Sequence, residues 1–187
     1  MRPTPLRQGL VVACALAVCT AACTGKDPYR PGTPLGTFHV DGKLLATSCG
    51  AASAPDPWSF DVKLAREGTT LYWLQGGLPV AGPLDANAHV VLASSDTQTV
   101  HAAAPRAGAT PAIPLCAVTR ADGLDATLAP DPATASGVVG FHGTLTYTFS
   151  ATADSDCSDQ LESAGGPFAR LPCSVGYALA GVRSATP

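Results

Sequence analysis

The stretch "FHGTLTYTFS" (Phe141–Ser150) decides the fold. Phe141, Leu145, Tyr147 and Phe149 alternate with His142, Thr144, Thr146 and Thr148, and strict alternation marks a β-strand with one apolar face and one wet face. The same period recurs on both sides of it. "FHVDGKLLA" sets Phe38, Val40 and Leu44 against His39, Asp41 and Lys43, and "WSFDVKLA" sets Trp58, Phe60, Val62 and Leu64 against Ser59, Asp61 and Lys63. "REGTT" then turns the chain into "LYWLQ" as a hairpin. "CSVGYALAGV" places Cys173, Val175, Tyr177 and Leu179 on one face.

Shorter candidates are "HVVLAS" (His89–Ser94), "TQTVHAA" (Thr97–Ala103), "IPLCAVTR" (Ile113–Arg120) and "GLDATLA" (Gly123–Ala129). Pro114 inside its run points to an edge or a bulge. The stretches "GAASAPDP", "AAAPRAGATP" and "APDPATASGVV" read as loops, and no 12-residue window carries helical period. About eight strands, each with one apolar face and separated by Pro/Gly turns, predict an all-β domain: a single antiparallel β-sandwich or β-barrel. With 17 Pro, 19 Gly and only 13% charged residues, the composition suits short strands and many turns.

The N-terminus reads as an export signal. Arg2 and Arg7 precede an apolar run, Leu10–Ala22, interrupted only by Thr20, too short to span a bilayer and of the length of a signal-peptide core. "TAAC" (Thr20–Cys23) places two small residues before Cys23 and resembles the lipobox of bacterial lipoproteins. Cys19 follows the bulky Val18, and Cys14 leaves too short an apolar run before it. The resemblance implies cleavage after Ala22, a diacylglyceryl thioether on Cys23 and an added N-acyl chain, together enough for stable anchoring. Thr24 follows Cys23, which by the sorting rule of well-studied enterobacterial lipoproteins implies the outer membrane.

The expected organisation is a signal peptide over 1–22, a lipidated Pro/Gly-rich tether over 23–36 and an all-β domain over 37–187. Cys14 and Cys19 leave with the leader and Cys23 is lipidated, so Cys49, Cys116, Cys157 and Cys173 remain for two disulfides in an oxidising compartment. None forms a C-x-x-C pair, which argues against a redox site or a zinc ribbon. Cys157 and Cys173 flank what reads as one hairpin connection, so the expected pairs are Cys157–Cys173 and Cys49–Cys116.

Losing Arg2 and Arg7 leaves nine cations against 14 acids, a net charge of −5. Such a chain has no electrostatic footprint for nucleic acid. Its expected partners are the membrane, through the lipid, and an envelope protein or glycan.

Candidate chemistry is sparse. His39, Asp41 and His142 lie on outward faces and would form a metal site only if their strands were neighbours; alternation by itself also demands polar residues there. "DSDCSDQLE" offers Asp154, Asp156, Asp159 and Glu162, but Asp159 and Gly165 occupy the loop positions where an EF-hand needs Gly and Glu. No G-x-S-x-G elbow is present. The expectation is a non-enzyme with no metal or cofactor. In "LYWLQ" alternation fails: Leu71 and Trp73 face one way, Tyr72 and Leu74 the other. Tyr72 and Trp73 are therefore the candidate contacts, unless "GGLPVAGP" folds over Tyr72. The alternatives are a lipid-anchored hydrolase, with His and Asp converging in a cleft, and a carrier of small apolar ligands in a hollow barrel.

Overall fold

Alternation along the chain becomes one antiparallel sheet of eight strands: β1 (Thr33–Thr47), β2 (Trp58–Glu67), β3 (Thr70–Leu74), β4 (Val80–Pro83), β5 (His89–His101), β6 (Cys116–Pro130), β7 (Val138–Ala151) and β8 (Cys173–Arg183). The computed structural model describes residues 27–104, 113–134 and 137–184; Cys23 and the leader lie outside them.

Apart from β4 and β5, every strand pairs with its neighbours in sequence, and β8 returns to β1. This is an up-and-down barrel, closed everywhere except between β4 and β5. There, closure rests on the single bridge Leu84↔Val90. The weakness follows from stagger. A cross-strand row from Val90 through Ala126, Gly143, Leu179 and Gly42 ends at Trp58, near the start of β2. Across the seam the same Val90 meets Leu84, whose N–H bonds to Thr69 in the β2–β3 turn at the far end of β2. The short β3–β4 hairpin thus flanks only the lower part of β5, which runs on above it.

The interior is filled, not hollow. Phe38, Val40, Val62, Leu64, Leu71, Val90, Val175 and Tyr177 are buried to 2% exposure or less, and each fully buried large apolar side chain contributes about 1.5–3 kcal/mol. Aromatic rings cover glycines across the ladder. A Cβ on Gly181 would collide with the Phe141 ring opposite it, and one on Gly42 with the Trp58 ring.

Connectivity gives the barrel two unlike ends. At one lie both termini of the barrel, the two-residue Gly68–Thr69 turn between Glu67 and Thr70, and the β4–β5 and β6–β7 connections. At the other lie the β1–β2, β3–β4, β5–β6 and β7–β8 connections, and both disulfides.

Those disulfides join Cys49 to Cys173 and Cys116 to Cys157, which corrects the expected pairing. The physical reason is the sheet. Thr47 pairs with Val175, so Cys49, two residues beyond β1, meets Cys173, two residues before Val175. Val118 pairs with Ala151, which brings the loop after β7, with Cys157, over the start of β6. The β7–β8 connection is not a simple hairpin, and its two cysteines are drawn to different neighbouring strands.

The first strand also starts earlier than expected. Thr33–Gly36, assigned to the tether, is the first part of β1, where Thr33 and Pro34 pair with Arg66 and Ala65. Pro34 and a bulge at Gly36 (φ 137°) erase the period-two signal there. Val80–Pro83, expected as loop, forms β4 beside β3. The four short candidates between His89 and Ala129 fuse into two long strands, β5 and β6.

Candidate functional site

The fusion locates the site. On β5, inward-facing Val90 and Leu92 give way to Ser94, Asp96 and Gln98. On the adjacent β6, inward-facing Leu128, Ala126 and Leu124 give way to Asp122 and Arg120. Both strands turn polar on their inner face at the same level, because Ser94 pairs with Asp122. That level lies above the Leu84↔Val90 bridge, where the barrel is open.

Arg120 and Asp122, two apart on the inner face of β6, form a two-pronged pair on one wall of the opening. Arg120 Nε donates to Asp122 Oδ1 at 2.7 Å and Nη2 to Oδ2 at 2.5 Å. The guanidinium lies over the Tyr147 ring, 4.8 Å from its centroid, held by cation–π attraction. The carboxylate raises the guanidinium's pKa, so Arg120 stays charged. Burial pushes the Tyr147 phenol up to about 12, so at neutral pH it is a protonated hydrogen-bonding group. Arg120 remains about half exposed, so the pair contributes about 1 kcal/mol or less to stability.

Aromatic rings continue this wall. Trp58 contacts Phe60, Tyr147 and Tyr177; Phe60 contacts Trp73; Tyr147 contacts Phe149, which meets Phe168 from the β7–β8 loop. The Trp73 indole N–H donates to Gln75 Oε1 at 3.3 Å. Between the β3–β4 hairpin and the β5–β6 wall is a cavity of about 170 Å³, lined by Trp73, Leu78, Ser94, Arg120, Asp122 and Tyr147 among others. That volume is close to one that holds a single six-membered ring. A groove of about 360 Å³ continues past Asp96 and Gln98 to Phe168. Leu78, on the β3–β4 loop, is 71% exposed at the lip. The arrangement offers stacking surface, charge-assisted hydrogen bonds and a volume suited to one ring or side chain.

The residues expected from sequence fall unevenly around this site. Trp73 is 8% exposed and points inward, its ring forming part of the cavity wall. Tyr72 points out, paired with Ala65 and Ala81, away from the cavity. The segment expected to fold over Tyr72 instead supplies β4 alongside it. Arg120, Asp122 and Tyr147 were not singled out from sequence, although the loss of apolar alternation in two consecutive runs, at Ser94–Asp96 and Arg120–Asp122, marks the place.

Three histidines pair with aspartates. His39 Nδ1 meets Asp61 at 2.8 Å, His89 Nε2 meets Asp125 at 2.8 Å and His101 Nε2 meets Asp159 at 3.0 Å. His142 and Asp41 lie in one row but with Ala180 of β8 between them, about 10 Å apart at the spacing of strands. Two acids of the β7–β8 loop also serve local bonds. Asp156 accepts the Ser158 N–H, which lowers its pKa, and Asp159 accepts from Gln160. Among the described residues the one close trio of metal-type donors is His101, Cys116 and Asp159, and Cys116 has its sulfur in a disulfide.

Comparison with protein-family models, with curated proteins and with solved structures finds no match for this chain.

Proposed function

We propose that this chain is a non-catalytic binding module of the cell envelope, anchored through a lipid on Cys23, that meets an envelope protein or glycan at the open end of its barrel. The observation that carries the reading is the Arg120–Asp122 pair on Tyr147, half-buried in an aromatic-walled opening instead of dispersed on the surface. Large apolar area beside a few convergent polar groups is the composition of a ligand site. The groups present suit binding: Asp122 is engaged by Arg120, and the Tyr147 phenol keeps its proton. Placement supports display. The chain enters β1 at the end opposite the opening, so a tether from Cys23 leaves the opening directed away from the anchoring membrane.

Two experiments test this. Intact mass of membrane-extracted protein is expected to start at Cys23 with diacylglyceryl and N-acyl chains; a lipid-free mass starting elsewhere overturns the anchor. Titration with disaccharide–peptide fragments of cell-wall polymer, read by tryptophan fluorescence, is expected to saturate and to weaken about tenfold or more in Arg120→Met, about 1.4 kcal/mol. Conversion of the fragment to a new mass would replace this reading with the hydrolase. Absence of any saturable signal would remove the opening as the binding site.

A further inference from the structure

The open side of the barrel exposes backbone as well as side chains. β5 pairs with β6 from His89 to His101, but on its other side it has a single bridge, Leu84↔Val90 just past β4, and beyond it β4 lies against Val91 and Leu92 through Gly82 without forming a ladder. Which groups are left free follows from parity. The Asp85 N–H donates to the His89 carbonyl across the seam, so the odd-numbered residues of β5 direct both N–H and C=O toward β4's side. Beyond the Gly82 contact, Ala93, Ser95, Thr97 and Thr99 therefore present their backbone groups along an edge that has no ladder partner among the described residues.

Edges of this length are ordinarily blunted by Pro, Lys or a covering element. Here Val91–Val100 contains no Pro and no Lys, the inward charge of Asp96 is its one guard, and its Thr and Val residues favour extended pairing. The edge also borders the cavity, since Ser94 lines it and Asp96 lines the groove beyond. Arg120 makes its two bonds to Asp122, so with Asp96 the inner wall carries one net negative charge.

We propose that this edge receives an extended peptide as an added strand, pairing with Ala93–Thr99 and setting a basic side chain beside Asp96. The proposal rests on the reading of the open end as the binding site and narrows its partner to a peptide. In strand addition, main-chain bonds supply affinity and pockets for alternate side chains supply specificity. The cavity beneath Trp73 is one such pocket. A second copy of this chain is a poorer occupant. Antiparallel pairing of two β5 edges centred on Ala93–Thr99 would place Asp96 opposite Asp96, and like charges directly opposite are destabilising.

The test uses the full chain in detergent, isotope-labelled, with two synthetic probes of about ten residues, one alternating Thr with Lys and one alternating Thr with Glu. The Lys probe is expected to slow amide exchange at Ala93, Ser95, Thr97 and Thr99 by about tenfold or more, and the Glu probe to leave it unchanged. Ser95→Pro removes one edge donor while sparing the β5–β6 ladder, because that N–H faces the open side. It is expected to weaken the Lys probe about tenfold or more. Should Ser95→Pro fail to fold, the same probe N-methylated at alternate amides asks the question of the unaltered protein and is expected not to bind.

Exchange unchanged at saturating Lys probe, or equal binding of the methylated probe, overturns strand addition. If the Trp73 indole resonance still shifts under those conditions, the opening stands as a binding site and only the added strand is lost. Protection without any probe, rising with protein concentration alongside a doubled sedimenting mass, assigns the edge to a second copy and overturns the peptide.

Discussion

The two ends of the barrel are held by different means. At the closed end, connections are short and the interior is sealed by Leu35, Leu71, Leu84, Leu128 and Val138, all buried to 8% exposure or less. Among the described residues no disulfide is placed there. At the open end the connections are long, the aromatic rings are only partly buried, and both disulfides tie the β7–β8 loop region to its neighbours. The contrast teaches how a small barrel keeps an opening. An end that collapses on its own apolar side chains needs no covalent bond, but it presents nothing. An end that must leave rings and a guanidinium half in water forgoes that burial, and cross-links restrain the loops in its place.

The largest predicted effects test this division. Replacing Cys49 and Cys173 by Ser opens a loop closed across 124 residues, and replacing Cys116 and Cys157 opens one of 41. The chain-entropy relation gives upper values of about 5 and about 4 kcal/mol, readable in urea unfolding. Phe141→Ala at the closed end is expected to cost about 3–5 kcal/mol. Energies alone do not separate the ends, but exchange does. Mild reduction should speed amide exchange at the open-end loops first while the strands around Phe38 and Phe141 stay protected. Simultaneous loss at both ends would erase the distinction.

A pair of glycines gives a smaller, sharper contrast. A Cβ on Gly82 would fall 2.5 Å from the Val91 carbonyl oxygen and from the Leu92 side chain, where β4 meets β5. Gly82→Val should therefore push the seam apart and cost about 1–3 kcal/mol. Gly77, in the open-end loop, has nothing within 4 Å, and Gly77→Ala should change stability by about 0.5 kcal/mol or less. Equal costs by thermal unfolding would mean that the seam is not a close contact.

The smallest effect lies on the wall between the ends. The hydrogen bond to Asp61, with the charges of Asp61 and Asp41, raises the pKa of His39 above its ordinary 6.5. A group bound more tightly to its proton when folded stabilises the fold fully below the unfolded pKa and loses that contribution as pH rises through the folded value. Wild type should therefore outlast His39→Gln in thermal unfolding at about pH 5.5 and lose the advantage by about pH 8. An advantage of the same size at both pH values would contradict the pairing.

Much of this architecture is legible along the chain wherever one face is dry. Phe141–Phe149, Phe38–Leu44 and Trp58–Leu64 announce their strands because their inner residues meet apolar neighbours. Legibility fails where a strand leaves that environment. Ser94–Asp96 and Arg120–Asp122 continue β5 and β6 with polar residues on the inner face, so each strand reads as two pieces and the site between them is invisible as chemistry. Val80–Pro83 carries too few residues and too much turn chemistry to read as a strand, and it is paired only because β3 and the seam hold it. The Arg120–Tyr147 contact is long-range, joining residues that only the register of β6 on β7 brings together.

The nesting of the two disulfides sets a timetable. Threaded from the N-terminus into an oxidising compartment, the cysteines of the folded domain arrive in the order Cys49, Cys116, Cys157, Cys173, and the first to appear must wait for the last. An oxidant acting on thiols as they emerge would join Cys49 to Cys116, the first available pair and a wrong one. Correct maturation therefore requires either that oxidation be delayed until the final strand has been made, or that a thiol-exchange catalyst undo the premature bond. In a host lacking such a catalyst, yield of the native protein will be governed by how quickly the chain is completed relative to how quickly it is oxidised.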